Sequence, residues 1–325
     1  MKTRRKLFIL SFLAPALLCL LGIFLYPAVR TAMMSFCDVS FVTDPTSAWS
    51  WVGMKNYMHL FTSRLFQRAL WNVVQIWLVE GAIVLALAMI FAVIITSGVK
   101  GKNFWRAILY LPNVISTVAL ATMWLQYVFN NQYGFFKTLF EWLHWEAMAA
   151  FQWTAPENLF LSMMIAFAFG TTGFYVLILV AGIDGIPEDY YEAATIEGAG
   201  AIRKMFYITL PLLKDIIKRC IVLWSAGAIG FFVYSSLFSF NTELATVTPI
   251  VYLYDIVFGK AAGATSQELN AGGGAAVGVV VMGLVLGING LLDLLIRTED
   301  QKPCTIKRGN HKRVHTQNTQ GRNAV

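Results

Sequence analysis

Charge is what this chain of 325 residues has least of: charged residues make up 13% of it against an apolar share of 57%, where soluble domains carry roughly 25% charge. An ordinary water-soluble globule is excluded. Histidine is nearly absent, with only His59, His144, His311 and His315, so few bases or metal ligands are on offer. Cys19, Cys37, Cys220 and Cys304 stand far apart, in neither a zinc spacing nor a disulfide framework. No G-x-x-x-x-G-K-[ST] phosphate cradle, H-E-x-x-H helix or G-x-S-x-G elbow occurs. The glycine-rich, basic stretch Gly98 to Lys102 lacks the spacing and the strand-to-helix setting of the first of these. No catalytic, cofactor or metal site is expected, and any ATP hydrolysis must belong to another chain.

What the chain has instead is long apolar runs. Leu7 to Tyr26, Trp71 to Thr96, Phe104 to Phe129, Leu159 to Ile183, Ile221 to Phe240 and Ala271 to Ile296 each reach the about 20 residues that a helix needs to cross a bilayer. The expected fold is an all-α membrane protein with six transmembrane helices. Basic residues orient it, because cytoplasmic loops keep positive charge. Lys2 to Lys6, Lys100 to Arg106, Arg203 to Arg219 and Arg297 to Arg322 fall on one side; of the 25 basic residues only Arg30, Lys55, Arg64, Arg68, Lys137 and Lys260 fall on the other. Both termini are therefore expected in the cytoplasm of a multi-pass plasma-membrane protein. The first run is longer than a signal peptide's core and lacks a clear cleavage site, so it reads as an uncleaved helix. The expected organisation is a cytoplasmic N-terminus at 1–6, a membrane domain at 7–296 and a basic, disordered tail at 297–325. That tail is read as lying near anionic lipid, not as a nucleic-acid site.

Two outer segments are rich in aromatics. Asp38 to Arg68 holds Trp49, Trp51, Tyr57 and Phe61 and is expected to form a short surface helix; Asn131 to Asn158 holds Trp142, Trp145 and Trp153. Anchoring at the membrane interface and stacking on sugar rings both fit such residues. Glu80 stands inside the second run, where an ionisable group is costly. It could line a path or be satisfied by packing. Pro112 and the small residues Gly227, Gly230, Gly283, Gly287 and Gly290 permit kinks or close helix crossings, a packing role.

The most informative stretch is Glu192 to Pro211, EAATIEGAGAIRKMFYITLP. Upstream of it Pro187 suits a first helical position, and Glu188 and Asp189 complement the positive end of a helix dipole. Gly198 offers a left-handed stop, so a helix of about three turns is expected between Pro187 and Gly198. Ala193 and Ala194 let a partner approach closely, while Glu192 and Glu197 offer carboxylates to a basic groove. A proline-started membrane helix is expected at Pro211. On caps alone, the segment is equally an ordinary connector between membrane helices.

Read as E-A-A, three residues, Gly198, nine residues, then Ile208, Leu210 and Pro211, the segment resembles the signature of the membrane permeases of binding-protein-dependent ABC importers. The likeness runs from about Leu7 to Ile296: Tyr26-Pro27 and Ser35-Phe36, Val52-Gly53 with Asn56-Tyr57 and Phe61, Lys100-Gly101 with Arg106, Leu111-Pro112 and Trp124, Gly173-Phe174, Ala181-Gly182 and Ile186-Pro187 recur in order. It is nearest to the carbohydrate branch, in the manner of the maltose and glycerol-phosphate permeases, and to the first of the two permease types that pair. The resemblance implies a type I ABC importer permease fold and a second homologous permease. It also implies two copies of a cytoplasmic ATPase that bind the ATP, and an extracytoplasmic sugar-binding protein.

Its docking loop would span 184–214, with Glu192, Ala193, Ala194, Gly198, Ile208, Leu210 and Pro211 as the ATPase-docking residues. Gly173 matches a glycine among sugar-contacting residues of the maltose permease, although its neighbours do not match that pocket; Gly173 and Glu80 are the candidates for the substrate path. Three departures stand out: Glu197 replaces an aspartate, a proline near Asp215 is absent, and the glycine-glycine-proline turn expected over Asn241 to Thr248 is missing. Two other classes stay open: a proton-coupled secondary transporter using Glu80, and a membrane scaffold whose loop binds something other than an ATPase.

Overall fold

The computed structural model of the protein describes residues 2–239, 245–259 and 269–295. Five helices in it are long and apolar enough to cross a bilayer: Ser11–Met34, Arg64–Thr96, Leu159–Asp184, Lys214–Phe238 and Ala271–Leu294. The third expected span is not one straight rod. It divides into Lys102–Val114 and Thr117–Val128, bent by 93°, and counts as a sixth span when the pair is taken together. Pro112 lies inside the first half and removes a backbone donor there. The chain breaks three residues later, where Ile115 (ψ 142°) and Ser116 (ψ 130°) are both extended.

The second and fourth spans form the centre. Val84, Ala88 and Ala92 of the second and Met163, Ala166 and Val176 of the fourth are all fully buried in one apolar cluster. Trp224 of the fifth span closes that cluster against the second in a specific way. Residues Ile76–Glu80 form a π-turn, so the N–H of Gly81 bonds to the carbonyl of Ile76 instead of that of Trp77. The released Trp77 carbonyl accepts the Trp224 indole N–H at 2.9 Å, and a side chain at position 81 would occupy that indole's space. A second cluster joins Tyr57, Leu60, Phe66 and Val73 to Ala276, Val277 and Val281 of the last span. The first span has none of its apolar window buried, as suits a helix surrounded by lipid or by a partner chain.

The glycines divide by function. Gly227, Gly283, Gly287 and Gly290, expected at kinks or close helix crossings, have no described atom within 4 Å of where a Cβ would stand. The close crossings use other glycines. A Cβ at Gly182 would meet Ile216 at 2.6 Å and Leu213 at 2.8 Å, which sets the fourth span directly on the fifth.

Outside the spans, Cys37–Asp38 pairs antiparallel with Ser50–Trp51, followed by the expected surface helix, Lys55–Thr62. The second outer segment contains the helix Phe135–Trp142. Its Phe136 joins Trp124, Phe129 and Trp153, whose rings pack edge to face, tilted or stacked, while Trp142 and Trp145 are exposed. Beyond the fifth span, residues 245–248 are held inward: Asn72 Nδ2 donates to the carbonyls of Ala245 (3.0 Å) and Val247 (2.9 Å), and the Thr248 hydroxyl to that of Phe231 at 2.7 Å. The rest of the missing-turn region, 241–244, lies outside the described residues, as do Lys260 and the tail 297–325.

Candidate docking site

The fourth span ends at Asp184, and a short helix, Glu188–Ile196, projects beyond it with Glu188 and Asp189 in its first turn. Pro187 is one residue earlier than expected, at the N-cap with extended ψ (135°), because the helix can begin only after the residue that turns the chain. The stop is the expected one. Gly198 has φ +75°, its N–H bonds to Thr195 O at 3.0 Å, and the N–H of Ala199 reaches Ala194 O at 2.9 Å. Those two bonds constitute a Schellman closure, which satisfies carbonyls the helix would otherwise leave bare.

A second short helix follows across the turn, in three continuous stretches: Ala201–Lys204, a π-turn Met205–Thr209, and Leu210–Leu212. Pro211 therefore stands in the last turn of this helix and does not start the membrane helix, which begins at Lys214. A proline lacks the N–H that continues a helix, and the N–H before it, on Leu210, already reaches back five residues to Met205 O. The backbone has opened where the ring must fit.

Side chains lock the two short helices together. The Lys204 ammonium donates to the Thr195 hydroxyl at 2.7 Å, the Thr195 hydroxyl donates to Tyr191 O at 2.6 Å, and the Tyr191 and Thr209 hydroxyls lie 3.0 Å apart. At the root, Arg106 Nη2 pairs with Asp184 Oδ2 at 2.6 Å, tying the last residue of the fourth span to the helix that precedes the 93° bend. Arg106 stood out in the sequence only as a basic residue and a family match, and none of these pairings was expected; a Tyr-x-x-x-Thr spacing is the sole local hint, and the Lys204 bond crosses a glycine turn that spacing cannot reveal.

Glu192 and Ala193 are exposed, and Ala194 is half-buried. Ala194 and Ile208 share a shallow pocket with Glu197, Arg203, Lys204 and Tyr207. Leu210 packs toward the core, whereas Pro211 is exposed. Around them stands apolar surface that no described residue covers: Ile196 is 86% exposed, Tyr207 78% and Ile202 75%. A knob with an alanine face, a free carboxylate at Glu192 and apolar flanks is complementary to a groove with an apolar floor and a basic rim.

The two path candidates are elsewhere. Glu80 closes the π-turn of the second span at 1% exposure, and neither carboxylate oxygen has a hydrogen-bond partner among the described residues. Gly173 is buried where the fourth span crosses Lys102–Val114, and a Cβ there would overlap the Leu109 carbonyl oxygen. The missing side chain lets two backbones meet there.

Comparison with known proteins agrees with this architecture. The family model described as binding-protein-dependent transport system inner membrane component matches residues 82–300. The trehalose/maltose transport system permease protein MalF of Thermococcus litoralis is 30% identical over 220 residues, covering 67% of this chain and 72% of that protein. The diacetylchitobiose uptake system permease protein NgcF of Streptomyces coelicolor is 28% identical over 261 residues, 77% and 71% of the two chains. Among solved structures, a bacterial ABC transporter involved in the import of the acidic polysaccharide alginate superposes with a TM-score of 0.76 over 91% of this chain and 97% of that one. At 20% sequence identity, that likeness establishes the type I importer permease fold. These relatives are transport permeases and not enzymes.

Proposed function

Because this chain belongs to the family of binding-protein-dependent transport system inner membrane components, in its sugar-importer branch, we propose that it is one of two permeases lining the path of an ATP-driven carbohydrate importer. The observation that carries the coupling role is the projecting helix Glu188–Ile196 with its glycine stop and its uncovered apolar surround. In this reading Glu192, Ala193, Ala194 and Gly198 seat in a groove of a cytoplasmic ATPase, two copies of which bind the ATP. Ile208, Leu210 and Pro211 shape the second helix that backs the knob. When the ATPases close, the knob moves with them. The Lys204–Thr195 bond and the Arg106–Asp184 pair carry that displacement into the fourth span and the bent third, so that the path opens alternately to each side. An extracytoplasmic binding protein delivers the sugar, and both termini stay in the cytoplasm.

ATP hydrolysis is expected only from the assembly. The purified chain should show no ATPase activity above background, and the complex with its partners should show it. Turnover by this chain alone would sink the proposal.

Glu80 supplies the test against proton coupling. Among the described residues neither carboxyl oxygen is hydrogen-bonded, and a proton relay requires a chain of such groups. Glu80→Gln keeps the shape and removes the titratable proton, so uptake should stay near the unmutated rate. Uptake should stop when ATP is depleted with the proton gradient intact. Uptake that survives ATP depletion and disappears in Glu80→Gln would establish the secondary transporter instead.

A further inference from the structure

A cavity of about 910 Å³ opens among the outer segments, lined by the Cys37–Asp38 strand, the surface helix and the residues just before the last span. Its frame is built and satisfied. Asn56 Nδ2 donates to the carbonyls of Ser35 (3.0 Å) and Cys37 (2.9 Å), the Tyr57 hydroxyl to Ser35 Oγ at 2.7 Å, and the Ala271 and Gly272 N–H groups to Ser40 O (3.2 Å) and Val39 O (3.0 Å). Gly272 has no room for a Cβ against the Cys37 carbonyl, so the strand and the last span are fixed on each other at this joint.

The lining is the opposite of the frame. Asp38, Lys55 and His59 face the cavity with exposed side chains, and no hydrogen bond or ion pair joins those side chains to another described residue. Lys55 and His59 stand one turn apart on the surface helix, with the acceptor Asp38 on the strand. Phe41, 53% exposed, supplies an aromatic wall. Opposed charges that do not close on each other repel a ligand of either fixed sign in part, while hydroxyl groups, which both donate and accept, match carboxylate, ammonium and imidazole together. An aromatic face beside them suits the C–H face of a sugar ring. The volume lies within the roughly 300–1,000 Å³ of small-ligand pockets.

We propose that this cavity is an outer carbohydrate subsite, which holds a neutral oligosaccharide by Asp38, Lys55 and His59 as it enters the path. It rests on the transport reading above and on the orientation that places the surface helix outside.

The test uses the assembled complex in nanodiscs without its binding protein, with maltose, trehalose and diacetylchitobiose as probes, and saturation-transfer NMR as the readout. At least one probe should bind, and Asp38→Asn combined with His59→Gln should weaken it about tenfold or more, the size expected for losing charged hydrogen-bond partners. ATPase stimulation by the binding protein is read in the same variant, to separate a lost sugar from a lost binding protein. Binding of no probe, or equal binding by variant and unmutated complex, overturns the subsite. So does a variant that loses the binding protein but keeps the sugar, which makes the cavity a seat for protein. Uptake separates the two levels: a complex that imports a probe sugar with its subsite variant unimpaired sinks only the subsite, and one that imports none sinks the transport reading as well.

Discussion

Gly198→Val is expected to leave the subunit folded in the membrane and to abolish sugar uptake, with ATPase recovery on pull-down falling about tenfold or more. Space is not the obstacle, since no described atom stands within 4 Å of a Cβ at this position. The backbone is. At φ +75° a β-branched residue carries strain of about 1–3 kcal/mol, which the segment relieves by giving up the closure from Gly198 and Ala199 to Thr195 and Ala194. Losing that closure frees the Lys204–Thr195 lock and swings the knob out of register with its groove. Gly198→Asn is the control, because asparagine tolerates the left-handed region and should retain most uptake. Glu192→Lys should uncouple by a different route: its carboxylate is exposed, so reversal changes what the partner meets and nothing inside the chain. Uptake and ATPase recovery at the unmutated level in both Gly198→Val and Glu192→Lys would show that the loop only connects two spans.

The contrast between what the sequence disclosed and what it hid follows the range of the interactions. The knob was legible because its signals are local: a proline and two acids at one end and a glycine at the other define a helix without reference to anything else. Spans were legible because a bilayer demands about 20 apolar residues in a row. The bend in the third was not. Pro112 announced a kink, but the break falls at Ile115 and Ser116, beside the bond from Asn113 Nδ2 to the Gly170 carbonyl at 3.3 Å. That contact joins residues far apart in the chain. Pro211 misled for a related reason, since a proline that usually opens a helix also fits where a π-turn has already released the backbone. Glu80 was legible as an anomaly, yet its burial at 1% exposure depends on how the fourth and fifth spans pack against its π-turn, which no local pattern discloses.

Gly173 shows how far a glycine's meaning depends on its neighbour, and its replacement is expected to have the largest effect on folding. In Gly173→Ala the new Cβ would overlap the Leu109 carbonyl oxygen, 2.8 Å from its carbon and 3.0 Å from the Tyr110 Cα. All three are backbone atoms, so no rotamer can clear them and the fourth span must lift away from Lys102–Val114. Overpacking of this kind costs about 1–3 kcal/mol or more, and the displaced helix carries the Arg106–Asp184 pair with it. Gly170→Ala, one turn earlier, meets only the ends of Leu120 (2.8 Å) and Tyr234 (2.9 Å), which can rotate aside. Thermal unfolding of the purified subunit should therefore show Gly173→Ala melting well below the unmutated protein and yielding little folded material, with Gly170→Ala between the two. Equal melting of Gly173→Ala and the unmutated chain would mean that the two helices do not meet backbone to backbone at Gly173.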